Sequence, residues 1–402
     1  MRDPKGGAVS RPFSSTGDAV AHPFYLALAG LAALAVAMGV GRFAFTPLLP
    51  LMQADAGLTL TEGSWLAFAN YLGYLVGALA TVWMRLPPHV MVRTGLVATG
   101  LLTLAVGVLH GFTLWWLLRF AGGVASAWVL VYASAMTLEK LMQAGAPKLF
   151  GVVFGGVGAG IMLTGLACVA LSAAGVGSSG IWVAFGLASL VASAACWRAF
   201  GPLRAVQAPQ PGSARESSGR RWGHVEWTLI VAYGLYGFGY IIPGTFMPVI
   251  ARDLLGGAFA SGWFWPMFGA AALAGTLAIG RVSNARERAA LIACYFAEAL
   301  GVIVPVLLPD AFGLALGSLL LGFAFVAITM LTLRVARALA AARHFDAAPL
   351  MGALTAAFGL GQLVGPPFAG YLVVRFGGFG QSLAAAAAGL ALGGAALWIM
   401  RR

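Results

Sequence analysis

Apolar runs of 20 to 30 residues recur along the chain, each closed by a short polar or basic connection. In order they predict twelve helices: 24–52, 62–84, 90–110, 112–138, 148–174, 179–199, 225–251, 259–280, 288–308, 311–335, 347–374 and 379–400. At ~1.5 Å of rise per residue, such runs match a hydrocarbon core ~30 Å thick. The one long polar interval between runs, residues 201–223, is rich in Pro, Gln, Ser and Arg. With Arg204, Arg215, Arg220 and Arg221 it reads as a solvated linker dividing six helices from six.

Composition settles the class. The 402 residues are 60% hydrophobic and only 9% charged, and the mean hydropathy is +0.90. A water-facing domain carries roughly 25% charged residues, so a soluble fold is excluded. The net charge of +12 would suggest nucleic acid in a soluble protein, but here the bases lie in alternate connections. Arg2, Lys5 and Arg11 precede the first run; Arg85 and Arg93, then Lys140 and Lys148, then the linker follow. Arg281, Arg286 and Arg288, then Arg334, Arg337 and Arg343, then Arg401 and Arg402 complete the series. The intervening connections hold Asp55, Glu62 and Asp310, with Arg252 beside Asp253 and Arg375. Positive residues mark the cytoplasmic side, so both termini and the linker are expected there, in a bacterial inner membrane. Residues 1–23 read as a disordered cytoplasmic tail with no cleavable signal peptide.

Three cysteines (Cys168, Cys196, Cys294) fall inside apolar runs without paired spacing, and the five histidines are scattered. No metal or other cofactor is expected. The expected partners are the lipid bilayer, a small-molecule substrate and protons; the chain reads as a monomer, with no nucleic acid.

An internal repeat organises the runs. Gly39, Gly41, Pro50 and Asp55 recur at Gly237, Gly239, Pro248 and Asp253, 198 residues on. The same offset takes Trp65 to Trp263 and Gly77 to Gly275. Three residues of drift later, Gly151, Gly158 and Gly160 match Gly352, Gly359 and Gly361. Six helices separate the copies, so residues 24–200 and 224–402 read as two six-helix bundles in parallel orientation.

The candidate chemistry lies in the stretch Met38–Pro50, whose one charge is Arg42. A charge inside a span costs ~2.5–3.5 kcal/mol on insertion scales and usually faces a bundle interior. Gly39 and Gly41 permit close backbone approach there, and Pro47 and Pro50 loosen the helix beyond. Arg119 lies at similar depth in the fourth helix, and no acid in the first six helices lies at that level. Two such cations suit an anion, since guanidinium binds carboxylate as a fork. Competing readings stay open: Arg42 snorkelling to an interface, and Arg119 bonding backbone carbonyls of a neighbouring helix. Polar-tipped candidates for the lining are Asn70, Tyr74, Tyr132, Tyr236, Tyr240 and Gln362. Glu298, deep in the ninth run, is a coupling candidate alongside Arg119. The glycine clusters lie inside uninterrupted apolar helices, where they serve packing rather than phosphate binding.

Several strings resemble a known family. Gly361-Gln-Leu-Val-Gly365-Pro366-Pro-Phe-Ala-Gly370 resembles the glycine–proline motif of the major facilitator superfamily, and Arg119-Phe-Ala-Gly122-Gly123 its arginine-containing motif. The motif after the second helix is degenerate, with Thr81 where an acid is expected. Gly41–Pro50, Ala69–Leu75 and Ala125–Ala133 resemble the YbfB/YjiJ-like branch. The resemblance implies an all-α membrane fold of two parallel six-helix bundles working by alternating access. It also implies that helices one, four, seven and ten line the cavity, so that the two arginines converge there, and that helix nine is peripheral.

The function expected is secondary transport of a small organic anion, with proton coupling as the default. No ATP-binding motif is present. An exporter of amphipathic compounds and a non-transporting solute sensor are the alternatives. No general-base or nucleophile constellation marks an enzyme, and no pore loop or charge ring marks a channel.

Overall fold

The computed structural model describes residues 22–81, 83–202, 222–257 and 259–400. Most of the expected tail and linker, including Arg204, Arg215, Arg220 and Arg221, lies outside the described residues, as do Arg401 and Arg402. What is described is all helix and connection. The first span, α1, runs Pro23–Asp55. It is followed by α2 (Leu60–Ala80), α3 (Pro88–Val108), α4 (Phe112–Gln143), α5 (Phe150–Ala173) and α6 (Ser178–Cys196). Then come α7 (His224–Leu254), α8 (Phe264–Ile279), α9 (Glu287–Leu307), α10 (Ala311–Ala342), α11 (Ala347–Phe376) and α12 (Gly380–Ile399).

Eleven of these are long and apolar enough to cross a membrane. The exception, α2, has 21 residues, but Glu62, Ser64, Asn70 and three glycines dilute its hydropathy. The surface is correspondingly inverted relative to a water-soluble protein. Val191 and Val374 are each 71% exposed, while Arg42, Arg119, Asn70 and Gln362 are buried. Apolar outside with polar inside is the arrangement lipid requires.

Two helices run further than their apolar runs suggested. α4 continues to Gln143 and α10 to Ala342, past the expected ends at 138 and 335. Their extra turns carry Lys140, Arg337 and neighbouring polar residues, which solvent or headgroups accept without ending the helix. Other helix ends at this pole are capped by arginine. Arg93, at the start of α3, donates to the carbonyl of Trp197 just past α6 at 3.0 Å. Arg288, at the start of α9, donates to the carbonyl of Leu397 near the end of α12 at 3.1 Å. Cations at helix C-termini satisfy orphan carbonyls and oppose the dipole.

Packing follows one scheme twice. In the first six helices α1 packs on α5, α2 on α4, α3 on both α4 and α6. In the second six α7 packs on α11, α8 on α10, α9 on both α10 and α12. Between the sets, α5 meets α8, α2 meets α11, and the C-terminal half of α1 meets α7. Glycine makes the α7–α11 approach possible. A side chain at Gly361 would run into the carbonyl of Gly234, and one at Gly365 into Ile241.

Candidate functional site

The site grows from a defect in α1. Residues Ala35–Phe43 form a π-helix, flanked by α-helix on both sides. In a π-helix each carbonyl accepts from the amide five residues on, so the carbonyl of Arg42 would look to Pro47. Proline has no N–H to give. The next α-type bond, from residue 47 to the Phe43 carbonyl, fails for the same reason. Gly39 meanwhile lies on Gly160 of α5, where an added Cβ would sit 2.5 Å from its Cα, and Gly41 lies against Thr99 of α3. The Arg42 carbonyl therefore needs outside donors, inside a wall of close helices.

Donors to this stretch come from α4 and α2. Arg119 Nη2 donates to the Arg42 carbonyl at 3.1 Å and Nη1 to the Gly41 carbonyl at 3.4 Å. Asn70 Nδ2 donates to the same Gly41 carbonyl at 3.2 Å and to the Arg119 carbonyl at 2.9 Å. The Arg119 guanidinium also lies 4.9 Å from the Phe45 ring centre and 5.9 Å from that of Trp182. The two arginines thus converge on helix one, but Arg119 faces its main chain.

Arg42 faces the other way, across to the second six helices. Its Nη2 donates to Gln362 Oε1 of α11 at 2.6 Å and reaches the Tyr240 hydroxyl of α7 at 3.5 Å. Gln362 Nε2 in turn donates to the Tyr240 hydroxyl. The guanidinium lies 4.1 Å from the ring centre of Tyr74, 5.2 Å from Tyr71 and 5.3 Å from Phe43. Cation–π contacts of this kind contribute on the order of 0.5–2 kcal/mol each. Arg42 Nε has no hydrogen-bond partner, and among the described residues no acid pairs with either arginine. The cation is 2% exposed, held by neutral groups alone.

Of the expected lining residues, Tyr74, Tyr240 and Gln362 touch Arg42, and Asn70 supports it from behind. Tyr236 stands one remove away, its ring 5.0 Å from Tyr240 and its hydroxyl donating to the Phe325 carbonyl at 2.5 Å. Tyr132 is not brought in. It is half-buried on α4, 13 residues beyond Arg119, which is about 20 Å along the helix. Glu298 points inward from α9 and is fully buried. Both its carboxyl oxygens lack a hydrogen-bond partner, and it lies within electrostatic range of Tyr236 and Tyr295. Helix nine keeps an exposed face at Phe296 and Leu300, while this side chain turns inward.

Sequence reasoning passed over Phe43, Thr46, Tyr71, Thr245 and Phe358. Thr46 Oγ1 donates to the Gly244 carbonyl at 2.9 Å, and the Tyr71 hydroxyl lies 3.0 Å from Thr245 Oγ1. Phe358 stacks on Tyr240, centres 5.7 Å apart and planes 7° apart. Thr46 and Gly244 were within reach of the 198-residue offset; Phe358 carries no such mark.

Comparison with known proteins bears on the family and the fold. A family model described as "Uncharacterised MFS-type transporter YbfB" matches residues 34–398. The crystal structure of the nucleoside transporter NupG aligns with a TM-score of 0.72 at 11% identity, covering 94% of this chain and 100% of that one. A bacterial homologue of the human lysosomal transporter Spinster, inward-facing and unoccupied, aligns with a TM-score of 0.70 at 16% identity, covering 95% and 97%. At these identities the structural likeness concerns the fold. No curated protein sequence matches significantly.

Proposed function

The chain belongs to the MFS-type transporter family typified by YbfB, and on that premise we propose that it is a secondary transporter of a small organic anion. The observation that carries this reading is Arg42: a buried guanidinium with no counter-charge, reaching from one set of six helices to Gln362 and Tyr240 in the other. A ligand held there touches both sets, so its binding bears on how they sit against each other. An anion also relieves the cost of an unneutralised buried charge.

The architecture proposed is twelve spans in two parallel bundles, 24–200 and 224–402, joined at 201–223. The recurrent packing scheme supports it, and so do the matched caps from Arg93 and Arg288. Those caps lie at the pole that also holds Lys140 and Arg334, which favours that pole as cytoplasmic. Arg42, Tyr74, Tyr240 and Gln362 form the proposed contact set, with Asn70 and Arg119 behind and Tyr236 alongside. Glu298 is the proposed proton carrier, because it is a buried acid with idle oxygens on the Tyr236 side of the site.

The test is transport itself. Purified protein in sealed vesicles is expected to accumulate or exchange anionic solutes, and Arg42→Gln is expected to abolish this while remaining folded. Uptake confined to cationic or neutral solutes, unaffected by Arg42→Gln, would sink the reading. Ligand binding without flux would turn the protein into a sensor.

A further inference from the structure

Resting on the anion reading, we propose that the Arg42 site takes a carboxylate carried on an aromatic ring, and that this carboxylate displaces the side-chain amide of Gln362. One edge of a guanidinium presents Nε–H and Nη2–H in parallel, a spacing matched by the two oxygens of a carboxylate. On Arg42 that edge is half used. Nη2 holds Gln362 Oε1 at 2.6 Å, while Nε, equally buried, has no partner. An amide offers one oxygen where the edge has two donors, and it brings no charge to a cation that lacks one. Gln362 therefore occupies the position of an acceptor without completing it.

The walls narrow the class further. Beside the guanidinium lie the rings of Tyr74, Tyr71 and Phe43, and beyond the amide lies Tyr240 with Phe358 stacked on it at 7°. A sulfonate or phosphate would turn its remaining oxygens toward ring faces, with the Tyr240 hydroxyl the one donor already placed there. A polyhydroxylated body would strand its hydroxyls in the same way. A flat ring meets rings, and offset stacking adds to its burial.

The test uses the full chain in detergent, with thermal unfolding followed against benzoate, cyclohexanecarboxylate, benzenesulfonate, benzamide and acetate. Benzoate is expected to raise Tm in a saturable way, cyclohexanecarboxylate less, and the other three not at all. Arg42→Lys keeps the charge but loses the fork, and should raise the half-saturating benzoate concentration by roughly tenfold or more. Gln362→Ala removes the internal competitor, and should lower that concentration. Equal stabilisation by cyclohexanecarboxylate or benzenesulfonate would overturn the aromatic carboxylate while leaving anion transport standing. So would stabilisation by acetate alone. No response to benzoate, or weaker benzoate binding by Gln362→Ala, overturns the proposal as well. Stabilisation by benzoate without uptake of labelled benzoate into vesicles would spare the site and overturn transport instead.

Discussion

Thr46 and Gly244 stand 198 residues apart and touch: the threonine hydroxyl donates to the glycine carbonyl at 2.9 Å. Arg42 and Tyr240 have the same separation and also meet, at 3.5 Å. Both contacts lie where α1 and α7 meet. The contact has a backbone reason. In an α-helix the Gly244 carbonyl would accept from residue 248, and residue 248 is proline. The carbonyl is left over, and Thr46 supplies the missing donor.

Thr46→Val keeps the shape and removes the hydroxyl, so a buried carbonyl loses its partner. The expected cost is ~1–3 kcal/mol, read as a lower unfolding temperature. Thr46→Ser should recover most of it. A Thr46→Val protein as stable as the parent would mean that the carbonyl finds another donor.

The two buried arginines should behave oppositely. Arg119 supplies the Arg42 carbonyl and shares that of Gly41 with Asn70, so Arg119→Gln strands one carbonyl and should destabilise by about 1–3 kcal/mol. Arg42 donates to side chains that can re-pair with each other, since Gln362 and Tyr240 already do. Arg42→Gln should therefore unfold at or near the parental temperature while losing anion binding. The reverse ranking in a thermal unfolding series would place Arg119 at the ligand and Arg42 in the framework.

How much of this was readable in the sequence varies by residue. Span positions followed from apolar run length; that Arg42 and Tyr240 touch did not, although the two are 198 residues apart, the offset of the repeat. The π-helix was not visible, because no residue propensity encodes a five-residue hydrogen bond. Its traces are Gly39, Gly41 and a proline five residues after Arg42, which only the structure makes meaningful. Arg42 and Arg119 meet at one stretch of helix one, but similar depth does not fix where a guanidinium points. Tyr132 fails on height, which the sequence does carry: 13 residues beyond Arg119 at ~1.5 Å each is about 20 Å.

Glu298 makes a separate prediction. Its oxygens have no partners to lose, so Glu298→Gln, nearly isosteric, should unfold at the parental temperature or above. If this side chain carries the proton, the variant should still exchange substrate across vesicles but fail to accumulate it under an imposed proton gradient. Accumulation at the parental level would remove Glu298 from coupling.

The last prediction concerns the end proposed as outer, opposite the Arg93 and Arg288 caps, where Arg252 bridges α7 to α1. Its Nη1 donates to the Pro50 carbonyl at 3.1 Å and its Nη2 to Gln53 Oε1 at 3.0 Å. Asp253 Oδ1 lies 3.3 Å away and holds the guanidinium in place. This is the end at which α1 and α7 would have to part for the site to open outward. Beside the bridge lies a crevice of about 430 Å³, lined by Arg252, Pro47, Pro50 and Cys168. Cys168 is buried, so its thiol reports on separation of the helices around it. Two part-exposed hydrogen bonds contribute about 0.5–1.5 kcal/mol each, so Arg252→Ala should raise the population of the parted state several-fold. Modification of Cys168 by a membrane-impermeant maleimide should accelerate by the same factor. Cys196 and Cys294, buried elsewhere, should label at the parental rate and so separate gate opening from general loosening. Acceleration at all three thiols would mean a destabilised fold. An unchanged rate at Cys168 would mean that Arg252 does not hold the outer end closed.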